Sequence, residues 1–275
     1  MPESLDGRIA VVSGGGRGLG RAIAGELARH GARVVLGARD EKSLNDSERE
    51  IRDDGGEAHG IAVDVSSVDS VAAFSREVER RVGRASILVN AAGVYGPIAP
   101  IEDTVARDWI DTLMINTVGP FLMIRAFLPG MLAERWGRIV SLTSAASLHP
   151  PGPLTSAYGT SKVALNQLTR HLAAEIAGTG VTANVIHPGD VKTGMWADIK
   201  SRVTGMGPAG EPYRQWAEWV AANGGDPPEK AAALVLRLVS DKQGTVNGRF
   251  LWIDEPLQAP IPSWEEPAAA QPWRK

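Results

Sequence analysis

The sequence predicts an α/β fold: a doubly wound parallel sheet of about seven strands with helices on both faces. Two observations carry that reading. Short apolar runs alternate along the chain with longer stretches whose apolar residues recur at helical spacing. The first run leads directly into a glycine-rich turn, Ser13-Gly14-Gly15-Gly16-Arg17-Gly18-Leu19-Gly20, and then into a helix. Strands joined through helices of this length lie parallel, and their right-handed crossovers cover both faces of the sheet.

The elements follow in order. Residues 8–12 (RIAVV) read as the first strand, and the RAIAGELARHG stretch as a helix that Gly31 stops. Residues 33–36 (RVVL) form a second strand, followed by a polar helix over 41–54. A third strand spans 58–63, a helix 68–82, and a fourth strand 87–90, which ends in Ala91-Ala92-Gly93. A long helical pattern covers 105–135, with Pro129 expected to kink its end. A fifth strand (139–142), a strong helix (157–177), a sixth strand (181–186), a helix (229–239) and a last strand (250–253) complete the series. The segment 194–228, with Trp196, Trp216 and Trp219 among its Gly and Pro residues, breaks the rhythm and reads as a helical insertion or lid. Residues 1–254 are expected to form one domain, and 255–275 a Pro-rich tail.

Composition sets limits on function. A chain of 275 residues can bury a large core, about 73% of its unfolded surface. Lys plus Arg number 29 against 32 Asp plus Glu, a net charge of −3, which argues against nonspecific nucleic-acid binding. The absence of cysteine removes disulfides, thiolate metal sites and thiol catalysis, and fits a cytoplasmic setting. No apolar run reaches the ~18 residues a membrane span needs, and the N-terminus lacks a secretory pattern, so no membrane partner is expected. No carboxylate or histidine cluster has metal-ligand spacing, so no metal is expected.

Glycines in the first turn allow positive φ and close backbone approach to a phosphate, and the helix beyond offers free N–H groups. The spacing is not that of a P-loop, and no Lys follows. A dinucleotide fold specific for NAD places an acidic residue at the end of the second strand. Here the strand ends Gly37-Ala38-Arg39-Asp40. Ala38 stands at the acidic position, and Arg39 with Arg17 could clamp a 2′-phosphate. NADP(H) is favoured; NAD(H), read by Asp40, is the alternative.

Tyr158 and Lys162 stand one helical turn apart and share a face. A nearby cation favours the phenolate of a tyrosine, whose free pKa is about 10, and makes it a proton carrier. Ser144, fourteen residues earlier at the end of the fifth strand, could bond a substrate carbonyl. Thr143 and Ser147 are rival hydroxyls. Asn116, among Met114, Ile115 and Val118, is expected to hold a buried water or a carbonyl.

These residues together resemble the short-chain dehydrogenase/reductase family over roughly residues 5–254. The pieces that match, in order, are the 13–20 glycine turn, Asp64-Val65, Asn90-Ala91-Ala92-Gly93, Asn116, Ser144, Tyr158 with Lys162, and Pro188-Gly189 followed by Thr193. The resemblance implies a Rossmann-type oxidoreductase that moves a hydride between NADP(H) and a carbonyl or secondary alcohol. It implies Tyr158 as general acid/base, Lys162 on the nicotinamide ribose, Ser144 on the substrate carbonyl, and Asn116 holding a water that links Lys162 to solvent. Gly14, Gly16, Arg17, Gly18, Leu19 and Gly20 would then hold the pyrophosphate side, and Ala38 and Arg39 the 2′ position. Asp64 and Val65 would contact adenine, Asn90, Ala91 and Gly93 would line the ribose and phosphate path, and Pro188, Gly189, Val191 and Thr193 would cover the nicotinamide. It further implies a homotetramer or homodimer paired through the helices at 105–135 and 157–177. The chain departs from the family pattern in three places: Ser13 for the usual Thr, an interval from Ser144 to Tyr158 that is one residue longer, and Ile253-Asp254-Glu255-Pro256 in place of a terminal Asp-Gly-Gly.

Tyr95, Leu148, His149, Asp190, Met195, Trp196, Trp216 and Trp219 are expected to wall the substrate pocket. Their character favours an apolar or ring-containing carbonyl compound. His187, next to Pro188, reads as a packing residue. An epimerase or dehydratase on the same fold would want a G-x-x-G-x-x-G turn and a larger C-terminal domain, and a serine hydrolase would need a G-x-S-x-G elbow; none of these is present. A non-catalytic binding protein would have no use for the Asn–Ser–Tyr–Lys set.

Overall fold

A computed structural model describes residues 4–148, 152–240 and 245–253. Its seven strands form one sheet in the order β3-β2-β1-β4-β5-β6-β7. These are β1 (Ile9–Ser13), β2 (Arg33–Ala38), β3 (Glu57–Ala62), β4 (Ile87–Asn90), β5 (Gly137–Leu142), β6 (Val181–His187) and β7 (Phe250–Trp252). Every neighbouring pair is parallel. The nine helices among the described residues are α1 (Gly18–Arg29), α2 (Glu41–Asp53), α3 (Val68–Arg81), α4 (Ala106–Leu113), α5 (Gly119–Ala133), α6 (Ser156–Glu175), α7 (Gly194–Val203), α8 (Glu211–Asn223) and α9 (Pro228–Val239).

Strands β1, β4, β5 and β6 are buried on both faces, which explains their largely apolar character, whereas β3 near the sheet edge is only partly buried. Along β1, Ala10 and Val12 join Ile23, Leu27 and Val235 in one core, packed by α1 and α9. Ile9 and Val11 point the other way and join Phe74, Val78, Met123 and Phe127 of α3 and α5. Two helices start on well-formed caps: Asp40 accepts from the Ser43 amide at 3.1 Å, and Ser67 from the Ser70 amide at 3.2 Å.

Three sequence expectations change here. The 105–135 helix is not a single α-helix: α4 and α5 are joined by a π turn, Met114–Val118, and α5 runs past Pro129 to Ala133. Counted as one, the stretch Ala106–Ala133 is long and apolar enough to cross a membrane by length and composition, contrary to the expectation that no segment is. Burial of Leu122, Met123, Phe127 and Met131 against the sheet accounts for much of that apolarity. Finally, α1 begins at Gly18, inside the glycine turn rather than beyond it. The 194–228 insertion consists of α7 and α8, which pack together over the C-terminal edge of the sheet. The tail at 255–275 lies outside the described residues, as do Asp254 and His149.

Candidate active site

A cleft of about 2180 Å³ opens at the C-terminal ends of the central strands, spanning the point where the order reverses between β1 and β4. Its floor is the glycine turn. Gly14 sits at φ +72°, and a Cβ there would lie 2.7 Å from the Ala92 amide nitrogen, so no side chain fits. Gly18, at φ +55°, faces open space, with the Thr193 methyl at 3.8 Å as the nearest atom to a Cβ. The N-terminus of α1 has no side-chain cap and no acidic residue in its first turn. Its unbonded N–H groups and dipole are therefore turned toward the cleft, the arrangement that holds a phosphate. The residues present fit a dinucleotide.

The end of β2 sharpens the fit. Ala38 lines the cleft and offers no carboxylate. Asp40, the alternative reader of a ribose, spends a carboxylate oxygen on capping α2. Arg17 and Arg39 are exposed on the cleft wall, and their guanidinium groups make no hydrogen bond or salt bridge among the described residues. Asp64 accepts from the Ser66 hydroxyl at 2.6 Å and from its amide at 3.0 Å. The Ser66 hydroxyl bond is the main cause that holds the Asp64 carboxyl below its usual range, and the charge of Arg39 contributes least.

Gly16, Leu19, Gly20, Val65, Ala91, Gly93, Pro188, Gly189, Val191 and Thr193 all line the same cleft. Asn90 does not: it is buried in β4 and donates to the Ser141 hydroxyl at 3.0 Å. Asn116 also lies behind the wall. Its amide donates to the Val94 carbonyl at 2.8 Å and the Ser161 hydroxyl at 3.0 Å, and its oxygen accepts the Val94 amide at 2.9 Å. The expected carbonyl partner is thus that of Val94. The π turn aims this side chain across to the loop after β4, so Asn116 fixes the wall rather than forming part of it.

Ser144, Tyr158 and Lys162 meet in the cleft. Among the three candidate hydroxyls, Thr143 donates to Asn166 at 2.6 Å, and Ser147 accepts from the same Asn166 at 2.8 Å. Ser144 Oγ accepts the Ala146 amide at 3.2 Å, does not bond Asn166, and stands beside the Tyr158 phenol. Asn166 is a supporting residue that sequence reasoning missed; its place one turn beyond Lys162 on the same helix face was the available signal. The backbone beside Ser144 is braced by His187, whose Nδ1 accepts the Ala145 amide at 3.3 Å. His187 also packs edge-on against Trp252, with ring centroids 4.7 Å apart, so the packing role holds with a hydrogen bond added.

The expected electrostatics need one correction. Burial pushes the Tyr158 phenol above its ordinary value, and the nearby Ser144 hydroxyl only partly opposes this. Burial also pushes the Lys162 ammonium down to about 8. The Lys162 Nζ lies 5.6 Å from the Tyr158 ring centroid and donates to the Leu142 carbonyl at 2.9 Å. The chain alone does not make Tyr158 acidic, because burial is the largest influence on its phenol.

Helices α7 and α8 roof the substrate end. Trp216 donates through its indole to Asp190 at 3.0 Å, and Trp196 to the Ala217 carbonyl at 3.3 Å. Tyr95, Met195, Trp196, Trp216 and Asp190 line the cleft, whereas Leu148 and Trp219 do not. Trp219 is 54% exposed because it sits on the outer face of α8. Tyr213, Thr155 and Arg202 also line this end, and the sequence analysis did not single them out.

Residues 8–204 match the family model described as short chain dehydrogenase. The chain is 36% identical over 196 residues to a short chain dehydrogenase of Pseudocercospora fijiensis, covering 62% of that protein. It is 32% identical over 260 residues to 2-(S)-hydroxypropyl-CoM dehydrogenase 3 of Xanthobacter autotrophicus, covering 94% of this chain and 100% of that one. Among solved structures, a single-residue variant of the actinorhodin polyketide ketoreductase with NADPH superposes with a TM-score of 0.82 at 30% identity, covering 89% of this chain and 95% of that one. An NAD+-bound xylitol dehydrogenase gives 0.80 at 28% identity, covering 90% and 98%. The similar proteins thus carry either cofactor. The family match, the parallel sheet and the cleft agree: this chain belongs to the short-chain dehydrogenase family and is an oxidoreductase.

Proposed function

We propose that the chain interconverts a carbonyl compound and a secondary alcohol, using NADP(H). The observation that carries this reading is the meeting of Ser144, Tyr158 and Lys162 in a cleft that also holds the uncapped N-terminus of α1. The nicotinamide supplies or accepts the hydride when bound. Ser144 orients the substrate oxygen and shares its developing charge. Tyr158 gives that oxygen a proton in reduction and takes one in oxidation. Lys162 holds the ribose hydroxyls and, when charged, favours the phenolate; a positive ring beside Tyr158 acts in the same direction.

The preference for the phosphorylated cofactor rests on Ala38, the engaged carboxylate of Asp40, and the guanidiniums of Arg17 and Arg39, which make no salt bridge or hydrogen bond among the described residues. Titration with NADPH and NADH, followed by tryptophan quenching in wild type and Arg39→Ala, tests it. Loss of a charge-assisted contact worth about 1.5–3 kcal/mol weakens NADPH binding roughly tenfold or more and leaves NADH unchanged. Tighter NADH binding, indifferent to the substitution, would overturn the assignment.

The wall made by Leu154, Ile199, Tyr95, Met195 and Trp216 supports an apolar or ring-containing substrate. Exposed Phe121 and Val163, on α5 and α6, support pairing of copies through those helices.

A further inference from the structure

The chain has three tyrosines, and all three line one cleft. The Tyr95 ring lies against the Tyr158 ring with centroids 4.5 Å apart and planes tilted by 31°. Its hydroxyl faces the Thr155 side chain. The Thr155 hydroxyl lies 3.2 Å from that of Tyr213, which donates in turn to the Pro153 carbonyl. Tyr95 is thus flanked on two sides: by the Tyr158 ring on one, and by the linked Thr155 and Tyr213 hydroxyls on the other. Burial, with the nearby Tyr158, pushes the Tyr95 phenol above its ordinary value, so it stays neutral wherever the protein works.

From this arrangement we infer that Tyr95 is a positioning residue for Tyr158: its ring fixes the plane of the catalytic phenol and keeps water from it. The inference rests on the reading of Tyr158 as the general acid/base and adds what holds that group in place. A phenol can swing about two side-chain torsions. An aromatic partner at offset-stacking distance restricts that swing and removes hydration from one face. The ionisable groups that bear on Tyr158 among the described residues are few. Lys162 is on its own helix and Tyr95 is on the loop after β4; Tyr213 and Arg202, on the roof, act one residue further away, on Tyr95. Replacing Tyr95 by a smaller apolar side chain therefore admits water to Tyr158 without introducing a new charge.

Tetranitromethane tests this without a substrate or cofactor, because it nitrates tyrosine through the phenolate, and the chain has no cysteine to compete. Tyr95→Leu and Tyr95→Phe are compared with wild type at several pH values. Nitration at Tyr158 is read by mass spectrometry of its peptide, after a cooperative thermal transition has been checked in each protein. A fall of one pKa unit raises the phenolate fraction about tenfold, so Tyr158 in Tyr95→Leu should nitrate at least about fivefold faster, with its pH profile displaced to lower pH. Tyr95→Phe keeps the ring and should restore the slow rate and the wild-type profile. Equal rates at Tyr158 in wild type and Tyr95→Leu would overturn the inference. An equal rise in both variants would place the effect in the hydroxyl and overturn it as well. Neither result depends on turnover, so failure of the general acid/base reading would show separately, as retained turnover in Tyr158→Phe.

Discussion

The ammonium of Lys162 donates to the main-chain carbonyl of Leu142, the last residue of β5, at 2.9 Å from a position that is almost fully buried. A cation there has given up water for one carbonyl oxygen, and burial accordingly pulls its pKa down to about 8 from the ordinary 10.5. Between those two pH values the folded chain carries fewer protons at this site than the unfolded chain. Stability of the cofactor-free protein should therefore rise with pH across that window, by about 3 kcal/mol in total from this group. Thermal unfolding between about pH 8 and 9.5 measures it. Lys162→Met should flatten the rise, since a side chain of similar volume carries no charge to bury. A wild-type profile that falls through the window would contradict the assignment.

Asn116 makes a different prediction, because its work is internal. It satisfies both the N–H and the C=O of Val94 and bonds the Ser161 hydroxyl. Asn116→Ala removes two bonds to the part-buried Val94 backbone and one to Ser161, whose hydroxyl keeps its bond to the Tyr158 carbonyl, and should cost about 3 kcal/mol in denaturant unfolding. A loss of less than about 1 kcal/mol would mean that water replaces the amide without penalty.

Trp216 ties the roof to the loop after β6 through Asp190, whose own amide donates to Asp226 at 3.0 Å. Trp216→Phe keeps the ring and removes the indole N–H. A lost hydrogen bond to a carboxylate should loosen the roof, raising KM about tenfold while kcat changes less. Steady-state kinetics on a ketone that the wild type turns over would resolve the two constants. A drop in kcat at constant KM would assign Trp216 to the chemistry instead.

Much of this fold was legible because most strands, β1, β4, β5 and β6 above all, are buried on both faces and read as largely apolar runs, while most helices show an apolar stripe; β3 is the exception, with Glu57 and Ala62 exposed. The site residues were legible for another reason: the glycine turn, Asn116, Ser144, Tyr158 and Lys162 stand at spacings set by strand ends and helix turns. What stayed hidden depends on packing across the chain. The π turn has no periodic signature, since Met114–Val118 is as apolar as its flanks. The helix over 41–54 was expected, but the sequence did not show that Asp40 gives a carboxylate oxygen to the Ser43 amide as its cap. The three hydroxyls at 143, 144 and 147 look alike in sequence, and only Asn166, nineteen residues beyond Ser147, separates them. Trp219 and Leu148 share their neighbours' composition yet point away from the cleft, because a helix face and a turn fix their directions.

Turnover in Tyr158→Phe tests the central claim most directly. NADPH oxidation is followed by absorbance with ring-containing and aliphatic ketones, for wild type and variant side by side, together with NADPH binding by tryptophan quenching. Removing one oxygen from a buried phenol leaves the ring contacts in place, so NADPH should bind the variant as it binds the wild type. Loss of the proton carrier should lower kcat about 10²–10⁴-fold. A variant that binds NADPH and keeps most of the wild-type turnover would contradict proton transfer by Tyr158.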